Sequence, residues 1–415
     1  MGKTIAEKIV SAHSRDARAG DLVVADIDLA MAHDNHTPTI IQQIAEMGKE
    51  VFDPDKIVFV NDHFSPAPNE MAASAHKLIR EFCRERKIRL YDVGEGICHQ
   101  ILPEQGHILA GSLVVGADSH TCTYGALNCL AAGIGSTEMT AVLVSGKLWF
   151  KVPESIKVVL NGCPTPGVFA KDLILHICKM IGPDGANYRS IEYHGAALKE
   201  LTIEGRLTMA NLSVEMGAKA GLMEVDGATV EWLQRRTSQS LSPVNPDDDA
   251  HYEKVVELDV SKIEPQVAVP HEIDHVEPVS RLLGTKIDYA FLGSCTNGKY
   301  EDLEVAARIL RGRKIPHGIR LLVAPASKLV AIKAMKEGIM DTLLEAGAVL
   351  LTSGCGPCPG LQGGVPGNGE MVISTMNRNY RGRMGNPKAS IYLASPAVVA
   401  ATALEGQIVD PRQYL

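Results

Sequence analysis

Short apolar runs, each followed by a cluster of polar residues, recur along this chain. The five runs and their clusters are Ile57–Val60 with Asn61-Asp62-His63, Leu113–Val115 with Asp118-Ser119-His120-Thr121, Ala290–Leu292 with Gly293 to Gly298, Val349–Leu351 with Ser353 to Cys358, and Met371–Ile373 with Asn377-Arg378-Asn379. Apolar runs of this length are typical of strands buried on both faces of a parallel sheet. Because ligands of open α/β sheets bind beyond the carboxyl ends of the strands, the five clusters are predicted to meet around one cleft.

The alternation of strand-like and helix-like segments predicts an α/β protein built from several units. A chain of 415 residues is long enough for two to four domains. We predict a first α/β domain at residues 1–152, a second at 153–262 and a third at 286–415. Residues 263–285 are predicted to be an extended linker, because Glu264–Pro278 contains three prolines and no periodicity.

Composition and charge narrow the class of protein. Apolar residues make up 45% and charged residues 22% of the chain, the balance of a globular enzyme. A net charge of −8 argues against a nucleic-acid partner, which would require a basic surface. Since no run of 18 apolar residues and no N-terminal apolar region occurs, we expect a cytoplasmic protein without a membrane partner. Thr4 and Glu7 predict a capping box at the first helix.

Three of the nine cysteines differ from the others in their surroundings. Cys295, Cys355 and Cys358 lie in glycine-bounded loops after predicted strands, whereas Cys83, Cys129, Cys163 and Cys178 are predicted to be small buried apolar residues. Three thiolates on such loops can hold a metal ion or a cluster. A zinc site and a redox-active pair remain alternatives, although structural zinc usually takes four ligands. Three ligands on a four-iron cube would leave one iron open as a Lewis acid.

Histidines, carboxylates and arginines follow the same predicted strands. Asp62-His63, His99 and Asp118-Ser119-His120 offer neutral histidines beside carboxylates, which is the usual equipment for proton transfer near neutral pH. Several arginines follow the last apolar run, in the segment Asn377–Arg383. Because a guanidinium binds carboxylates through two hydrogen bonds, this segment is a candidate carboxylate-binding site.

Taken together, these motifs resemble the aconitase superfamily, and within it the large subunits of the 3-isopropylmalate dehydratase and homoaconitase type. The resemblance spans essentially the whole chain. It rests on Gly116-Ala117-Asp118-Ser119-His120-Thr121, Gly293-Ser294-Cys295-Thr296-Asn297-Gly298, Gly354-Cys355-Gly356-Pro357-Cys358, and Asn377-Arg378-Asn379-Tyr380 with Gly382-Arg383. It implies three α/β/α units of the aconitase iron–sulfur region packed around one cleft.

The resemblance also implies roles for individual residues. Cys295, Cys355 and Cys358 would be the ligands of one [4Fe-4S] cluster with one iron not ligated by cysteine. The implied catalytic residues are Asp62, His63, His99, Asp118, His120 and Glu215. The implied substrate-contacting residues are His33, Ser119, Arg378 and Arg383, while Asn211 and Asn377 would form hydrogen bonds near the cluster.

By the same resemblance, the chain is the large subunit of a heteromeric hydro-lyase that isomerises a hydroxy di- or tricarboxylic acid by dehydration and rehydration. It stops at Leu415 without the swivelling fourth domain of the family, which implies a small partner subunit that carries this domain. The conversion of 2-isopropylmalate to 3-isopropylmalate is the expected reaction, and homoaconitate and 2,3-dimethylmalate chemistry remain alternatives. The segment Pro359–Gly364 departs from the leucine–glycine and histidine of relatives, which leaves the substrate preference open.

Two alternatives belong to other classes of protein. A cluster-sensing RNA-binding protein would share the cysteines, but the acidic balance of the chain counts against it. A zinc-stabilised scaffold without catalysis would also use the cysteines.

Overall fold

The first third of the chain forms a five-stranded parallel sheet and a two-stranded ribbon in the computed structural model, which describes residues 2–415. The strands are β1 (Leu22–Asp26), β2 (Leu29–His33), β3 (Ile57–Val60), β4 (Arg89–Tyr91), β5 (Leu113–Gly116), β6 (Leu130–Gly133) and β7 (Lys147–Lys151). The helices are α1 (Ile5–Ala12), α2 (Thr37–Met47), α3 (Glu70–Arg86), α4 (Cys98–Glu104) and α5 (Ser136–Ser145). The sheet has the order β4-β3-β2-β5-β6, and β1 pairs with β7 in antiparallel fashion. All four residues of β3 are buried, as the apolar run predicts.

Two local predictions in this region have different outcomes. The capping box of α1 is confirmed, since the Thr4 side chain accepts from the Glu7 backbone and the Glu7 side chain accepts from the Thr4 backbone. The sequence pattern also predicts a long helical stretch through Glu138–Phe150, and this prediction is too long. The helix ends at Ser145 because Gly146 adopts a left-handed conformation (φ 70°), and the chain continues as β7.

The second region forms a four-stranded parallel sheet in the order β10-β9-β8-β11. Its strands are β8 (Ser155–Asn161), β9 (Ser190–His194), β10 (Ala220–Met223) and β11 (Lys254–Asp259). Its helices are α6 (Ala170–Ile181), α7 (Ile203–Asn211) and α8 (Gly227–Gln234). The sheet packs against the first region through a 3-10 segment, Ser119–Leu127, where a Cβ atom on Gly125 would lie 1.9 Å from the carbonyl oxygen of Gly221.

The third region forms a seven-stranded sheet in the order β13-β12-β18-β17-β14-β15-β16. Its strands are β12 (Gln266–Ala268), β13 (Val276–Pro278), β14 (Tyr289–Leu292), β15 (Arg320–Val323), β16 (Val349–Leu350), β17 (Met371–Ser374) and β18 (Ser390–Ala394). Its helices are α9 (Ser294–Asn297), α10 (Tyr300–Leu310), α11 (Lys328–Lys336), α12 (Ile339–Ala346) and α13 (Pro396–Glu405).

The segment 263–285, predicted as an extended linker, requires a correction. It contributes β12 and β13 to the third sheet, where β12 pairs in antiparallel fashion with β13 and with β18. Val267 and Val276 are fully buried there, which explains the pairing. The prolines did exclude a helix, but they are compatible with short strands near a sheet edge.

The three regions share buried apolar contacts. One core cluster contains Tyr124 from the first, Tyr193 from the second and Phe291 from the third, all with at most 1% of their surface exposed. The predicted α/β class with largely parallel sheets is confirmed. In the part of the chain that the structure describes, no helix is long and apolar enough to cross a membrane.

Candidate active site

The three cysteines that stand apart in the sequence line one cavity. Cys295 lies in α9 directly after β14, and Cys355 and Cys358 lie in the loop after β16. All three are buried free thiols. Ser294, which precedes Cys295, has a positive φ of 75°, a strained conformation that occurs preferentially at functional sites. The carboxyl ends of two strands of one sheet thus bring the thiols to the same place.

The thiols are surrounded by N–H donors. The Nδ2 atoms of Asn211 and Asn377 donate to Cys295 Sγ at 3.3 and 3.4 Å. Arg383 Nη2 donates to Cys358 Sγ at 3.3 Å. Burial, with the neighbouring Cys358 adding to it, raises the pKa of the Cys295 thiol to about 12. Ionised sulfur here therefore needs a positively charged partner in addition to these donors, as an iron–sulfur core provides.

At least two of the three thiols lie further apart than the ligands of one zinc ion would. Among residues 2–415, His33, Asp34, Asp62 and His63 form the one set whose ligand atoms all lie within 4.8 Å of one another, and the three cysteines are no such set. Three thiolates on one zinc ion, at Zn–S distances of about 2.3 Å, would place their sulfurs roughly 3.8 Å apart. The donor set therefore fits a larger inorganic core that separates the sulfurs, such as a four-iron cube.

Three histidine–carboxylate pairs surround the same cavity. His63 Nδ1 lies 2.7 Å from Asp62 Oδ1, and His99 Nε2 lies 2.7 Å from Asp118 Oδ1. The third pair joins two regions of the chain. His120 Nε2 lies 2.9 Å from Glu215 Oε1. The structure therefore brings together all six residues to which the sequence assigned catalytic roles.

Asp118 lies at the centre of these histidines. Its Oδ2 atom is 3.4 Å from His33 Nε2 and 3.5 Å from His63 Nε2, and its Oδ1 atom also accepts from the backbone N–H of His120 at 2.7 Å. The rings of His33 and His63 stack with centroids 3.8 Å apart. Burial opposes ionisation of Asp118, but the surrounding histidines hold its pKa well below the usual range. A permanent negative charge thus faces the cavity from this side.

His63 is protonated at neutral pH in this surrounding. Burial lowers its pKa, but the carboxylates of Asp62, Asp118 and Asp34 outweigh burial and raise the pKa to about 9. His63 also lies 3.8 Å from the Sγ atom of Cys355, measured from Nδ1. A proton donor is therefore held beside the thiols.

Of the predicted substrate-contacting residues, Arg383 lines the cavity, while His33, Ser119 and Arg378 contact members of the histidine–carboxylate pairs. In the described part of the chain, the Nε atom of Arg383 is buried and has no hydrogen-bond partner. Arg378 Nε donates to Glu215 Oε1 at 2.8 Å, and Ser119 Oγ lies 3.2 Å from His120 Nδ1. Burial opposes ionisation of Glu215, but His120 and Arg378 lower its pKa, which keeps the carboxylate charged.

Four residues of this arrangement were missed by reasoning from the sequence. Asp34 and His76 form a buried pair under the His63 segment, Gln362 bonds to that segment, and the hydroxyl of Tyr124 lies 3.2 Å from His99 Nδ1. From the sequence alone, His76 is predicted to be a surface or structural residue. Asp34 did carry a signal, because it follows the apolar run of β2 as Asp62 follows that of β3. Cys163, predicted to be buried, is exposed.

The cavity combines three thiols for an inorganic core with proton donors and guanidinium groups, which defines the class of cluster-dependent enzymes acting on oxyacids. The model of a protein family described as "Aconitase family (aconitate hydratase)" matches residues 7–406. The chain is 51% identical to the 3-isopropylmalate dehydratase large subunit 1 of Methanopyrus kandleri over 100% of both chains. It is 46% identical to the probable methanogen homoaconitase large subunit of Methanothermobacter thermautotrophicus, over 98% of this chain and 97% of that one.

A solved structure supports the fold. The aconitase X of Thermococcus kodakaraensis in its holo-form superposes with a TM-score of 0.50 at 13% identity, over 85% of this chain and 84% of that one. This chain therefore belongs to the aconitase family, and its activity is that of a hydro-lyase. The resemblance predicted from the motifs is confirmed.

Proposed function

We propose that this chain is the large, iron–sulfur subunit of a 3-isopropylmalate dehydratase, which converts 2-isopropylmalate to 3-isopropylmalate in the cytoplasm as a step of leucine biosynthesis. The observation that carries the proposal is the convergence of three thiols, three histidine–carboxylate pairs and Arg383 on one buried cavity. The names of these relatives support the substrate class, and their designation as large subunits supports a small partner subunit.

Cys295, Cys355 and Cys358 would hold one [4Fe-4S] cluster, with one iron not ligated by cysteine. When bound, that iron supplies Lewis-acid polarisation of a substrate hydroxyl and carboxylate. The amides of Asn211 and Asn377 and the guanidinium of Arg383 stabilise the thiolates through N–H···S hydrogen bonds.

His63 is assigned as the acid for dehydration. Its Nδ1 atom bonds to Asp62, so Nε2 is the atom that can give a proton to the departing hydroxyl. The C–O bond breaks and water leaves, while a base removes the proton from the adjacent carbon and that electron pair forms the C=C bond. Rehydration then adds the hydroxyl of water to the carbon that lost the proton, and a proton to the carbon that lost the hydroxyl. We assign the base to the small partner subunit.

The arginines are assigned to the substrate carboxylates. Arg383 has a buried donor, Nε, without a hydrogen-bond partner among residues 2–415, and a carboxylate of an oxyacid would satisfy it. Arg378 is oriented by Glu215, which His120 also contacts. Fixed positive charge next to the reacting carbons stabilises the negative charge that develops as the proton is removed, an effect worth several kcal/mol in other enzymes.

The first experiment tests the substrate. The chain is purified without oxygen, combined with the small subunit from the same organism, and assayed with 2-isopropylmalate, homocitrate and 2,3-dimethylmalate. We expect the highest kcat/KM with 2-isopropylmalate. A preference for homocitrate would instead support the function named for the methanogen relative, which is the second candidate. No hydration or dehydration of any of the three acids would contradict the proposal.

The second experiment tests the cluster ligands. Cys358→Ser should leave the protein folded, with less iron, without the broad visible absorption of a cluster, and with activity reduced by at least about a hundredfold. Cys163→Ser is the matched control, because Cys163 is exposed and lies outside the cavity. A Cys358→Ser protein with full iron content and full activity would refute the ligand assignment.

A further inference from the structure

The segment that carries His63 is bonded on both sides through its backbone. Asp34, at the end of β2, accepts from the N–H of His63 at 3.0 Å and from the N–H of Phe64 at 2.9 Å. Gln362, in the loop after the cysteines, donates to the carbonyl oxygens of Asp62 at 3.1 Å and of His63 at 2.9 Å. None of these bonds involves the imidazole of His63, so they determine where its backbone lies.

Asp34 is itself held in place by hydrogen bonds to α3 and β3. It is 1% exposed, and its Oδ2 atom lies 2.9 Å from Nε2 of His76, a buried histidine of α3. Its backbone N–H donates to the carbonyl of Val60, the last residue of β3, at 3.1 Å. Three donors on one buried carboxylate form a fully satisfied site, and a polar network of this kind is rigid.

The cysteine loop contacts the same segment closely. The N–H of Cys355 donates to the carbonyl of Asp62 at 3.1 Å. A Cβ atom on Gly354 would lie 3.2 Å from that carbonyl oxygen, so a side chain here would press against it. The segment 62–64 is therefore fixed between the end of the first sheet and the cysteine loop.

We propose that Asp34 and Gln362 are positioning residues of the dehydration reaction, which act through the backbone of the His63 segment to hold the proton donor at a fixed distance from the substrate hydroxyl. His76 completes this arrangement by orienting Asp34. The inference rests on the proposed role of His63 as the acid. Neither Asp34 nor Gln362 lines the cavity. An angstrom-scale displacement of a catalytic group costs up to about a hundredfold in rate, and loss of a supporting contact about ten- to a hundredfold.

The test compares Asp34→Asn with Asp28→Asn in the reconstituted, cluster-loaded complex. Asp28 is the control. It is a more exposed carboxylate at the opposite end of β2, which likewise accepts from a backbone N–H, that of Leu113 at 2.9 Å, and lies 2.6 Å from a histidine nitrogen, Nε2 of His13. The amide introduced by Asp34→Asn would keep one acceptor oxygen but turn its NH2 group towards a backbone N–H. We expect kcat to fall about ten- to a hundredfold in Asp34→Asn with KM changed less than about threefold and iron content unchanged. Asp28→Asn should keep kcat.

Two further readouts separate positioning from a general loss of stability. Amide hydrogen exchange of the peptide containing residues 60–66 should accelerate in Asp34→Asn and in Gln362→Met, but not in Asp28→Asn. In a His63→Gln background, Asp34→Asn should lower the residual kcat no further, because residues that act as a unit are not additive.

The outcomes distinguish this inference from the proposed function. If Asp34→Asn only lowers the melting temperature and leaves kcat per cluster unchanged, the positioning inference is wrong while the proposed function stands. If Asp34→Asn lowers kcat by the same factor with and without His63, Asp34 does not act through His63 and the inference fails. If His63→Gln retains full activity, the proposed role of His63 is wrong and the inference fails with it.

Discussion

Asp118 shows how much of the chemistry depends on one residue. One carboxylate contacts His99 directly and faces His33 and His63 at 3.4 and 3.5 Å. Because the surrounding histidines outweigh its burial, the pKa of Asp118 stays well below the usual range and the carboxylate keeps its charge. A single carboxylate in this position therefore places a fixed negative charge beside three imidazole rings.

Glu204, in the first turn of α7, is a residue whose ionisation opposes folding. Its Oε2 atom accepts from the N–H of Glu301 at 3.0 Å. Burial, and then the negative charge of Glu301, raise its pKa from 4.5 to about 7. The folded carboxyl therefore holds a proton that the unfolded chain releases at lower pH. Its destabilising effect is absent below pH 4.5, grows as the pH rises to about 7, and is constant above that.

Substitution of Glu204 by Gln should therefore stabilise the protein at alkaline pH. The side-chain oxygen can still accept from Glu301, while the charge is removed. We expect a gain of roughly 1 kcal/mol at about pH 8, because partial exposure of the side chain reduces the full effect of the pKa shift, and no gain at about pH 4.5. Urea unfolding across this pH range measures it. A stabilisation that does not depend on pH would show that ionisation of Glu204 is not the cause of the gain.

At the scale of single elements, the 3-10 segment Ser119–Leu127 links the first two regions. It carries Ser119 and His120 and packs against β10 at Gly125, where there is no room for a side chain. His120 reaches Glu215 from this segment. The position of one catalytic pair thus depends on a backbone-to-backbone contact between two elements that are far apart in the chain.

We predict that Gly125→Ala destabilises the protein by about 3 kcal/mol or more, because its Cβ would lie 1.9 Å from the carbonyl oxygen of Gly221. Chemical denaturation of the cluster-loaded protein measures this effect. Gly135→Ala is the control, since its Cβ would meet no atom closer than 3.8 Å and its φ of −75° suits alanine. Equal stability of the two variants would contradict the close contact between Gly125 and the carbonyl oxygen of Gly221.

At the scale of the whole molecule, the cavity is assembled from three sheets. The first contributes His63, His99 and Asp118, the second region contributes Asn211 and Glu215, and the third contributes the cysteines and arginines. A group that binds all three cysteines is also linked to the second region, because Asn211 donates a hydrogen bond to the sulfur of Cys295. Binding in the folded state alone therefore stabilises the whole arrangement by mass action.

The cluster can be removed from the purified protein by oxidation and a chelator, with the later steps carried out without oxygen. This removal of iron should lower the melting temperature by about 5 °C or more. Differential scanning calorimetry measures the shift, and far-ultraviolet circular dichroism should show the sheets intact at room temperature. The same treatment of Cys358→Ser should produce no shift. An unchanged melting temperature in the unsubstituted protein would contradict a stabilising role for the cluster.

Much of the fold was predictable because parallel strands are short, apolar and followed by polar loops. The runs at Ile57–Val60 and Leu113–Val115 are strands within one residue of their predicted bounds. Predictions failed where tertiary contacts decide. The chain at 263–285 forms two strands only because β18 offers an unpaired edge, and Lys147–Lys151 is a strand because β1 lies beside it.

By itself, the sequence determined the largely parallel α/β class, the chemical groups of the cavity and the family, since motif spacing and hydrophobic period are local properties of the chain. Only the tertiary structure decided that Asp34 and Gln362 hold the His63 segment from two sides and that Asp118 faces several histidines. Those relations depend on backbone groups meeting across sheets and loops far apart in the chain. No local pattern encodes them, because a hydrogen bond to a backbone N–H or carbonyl is independent of the side chain that its residue carries.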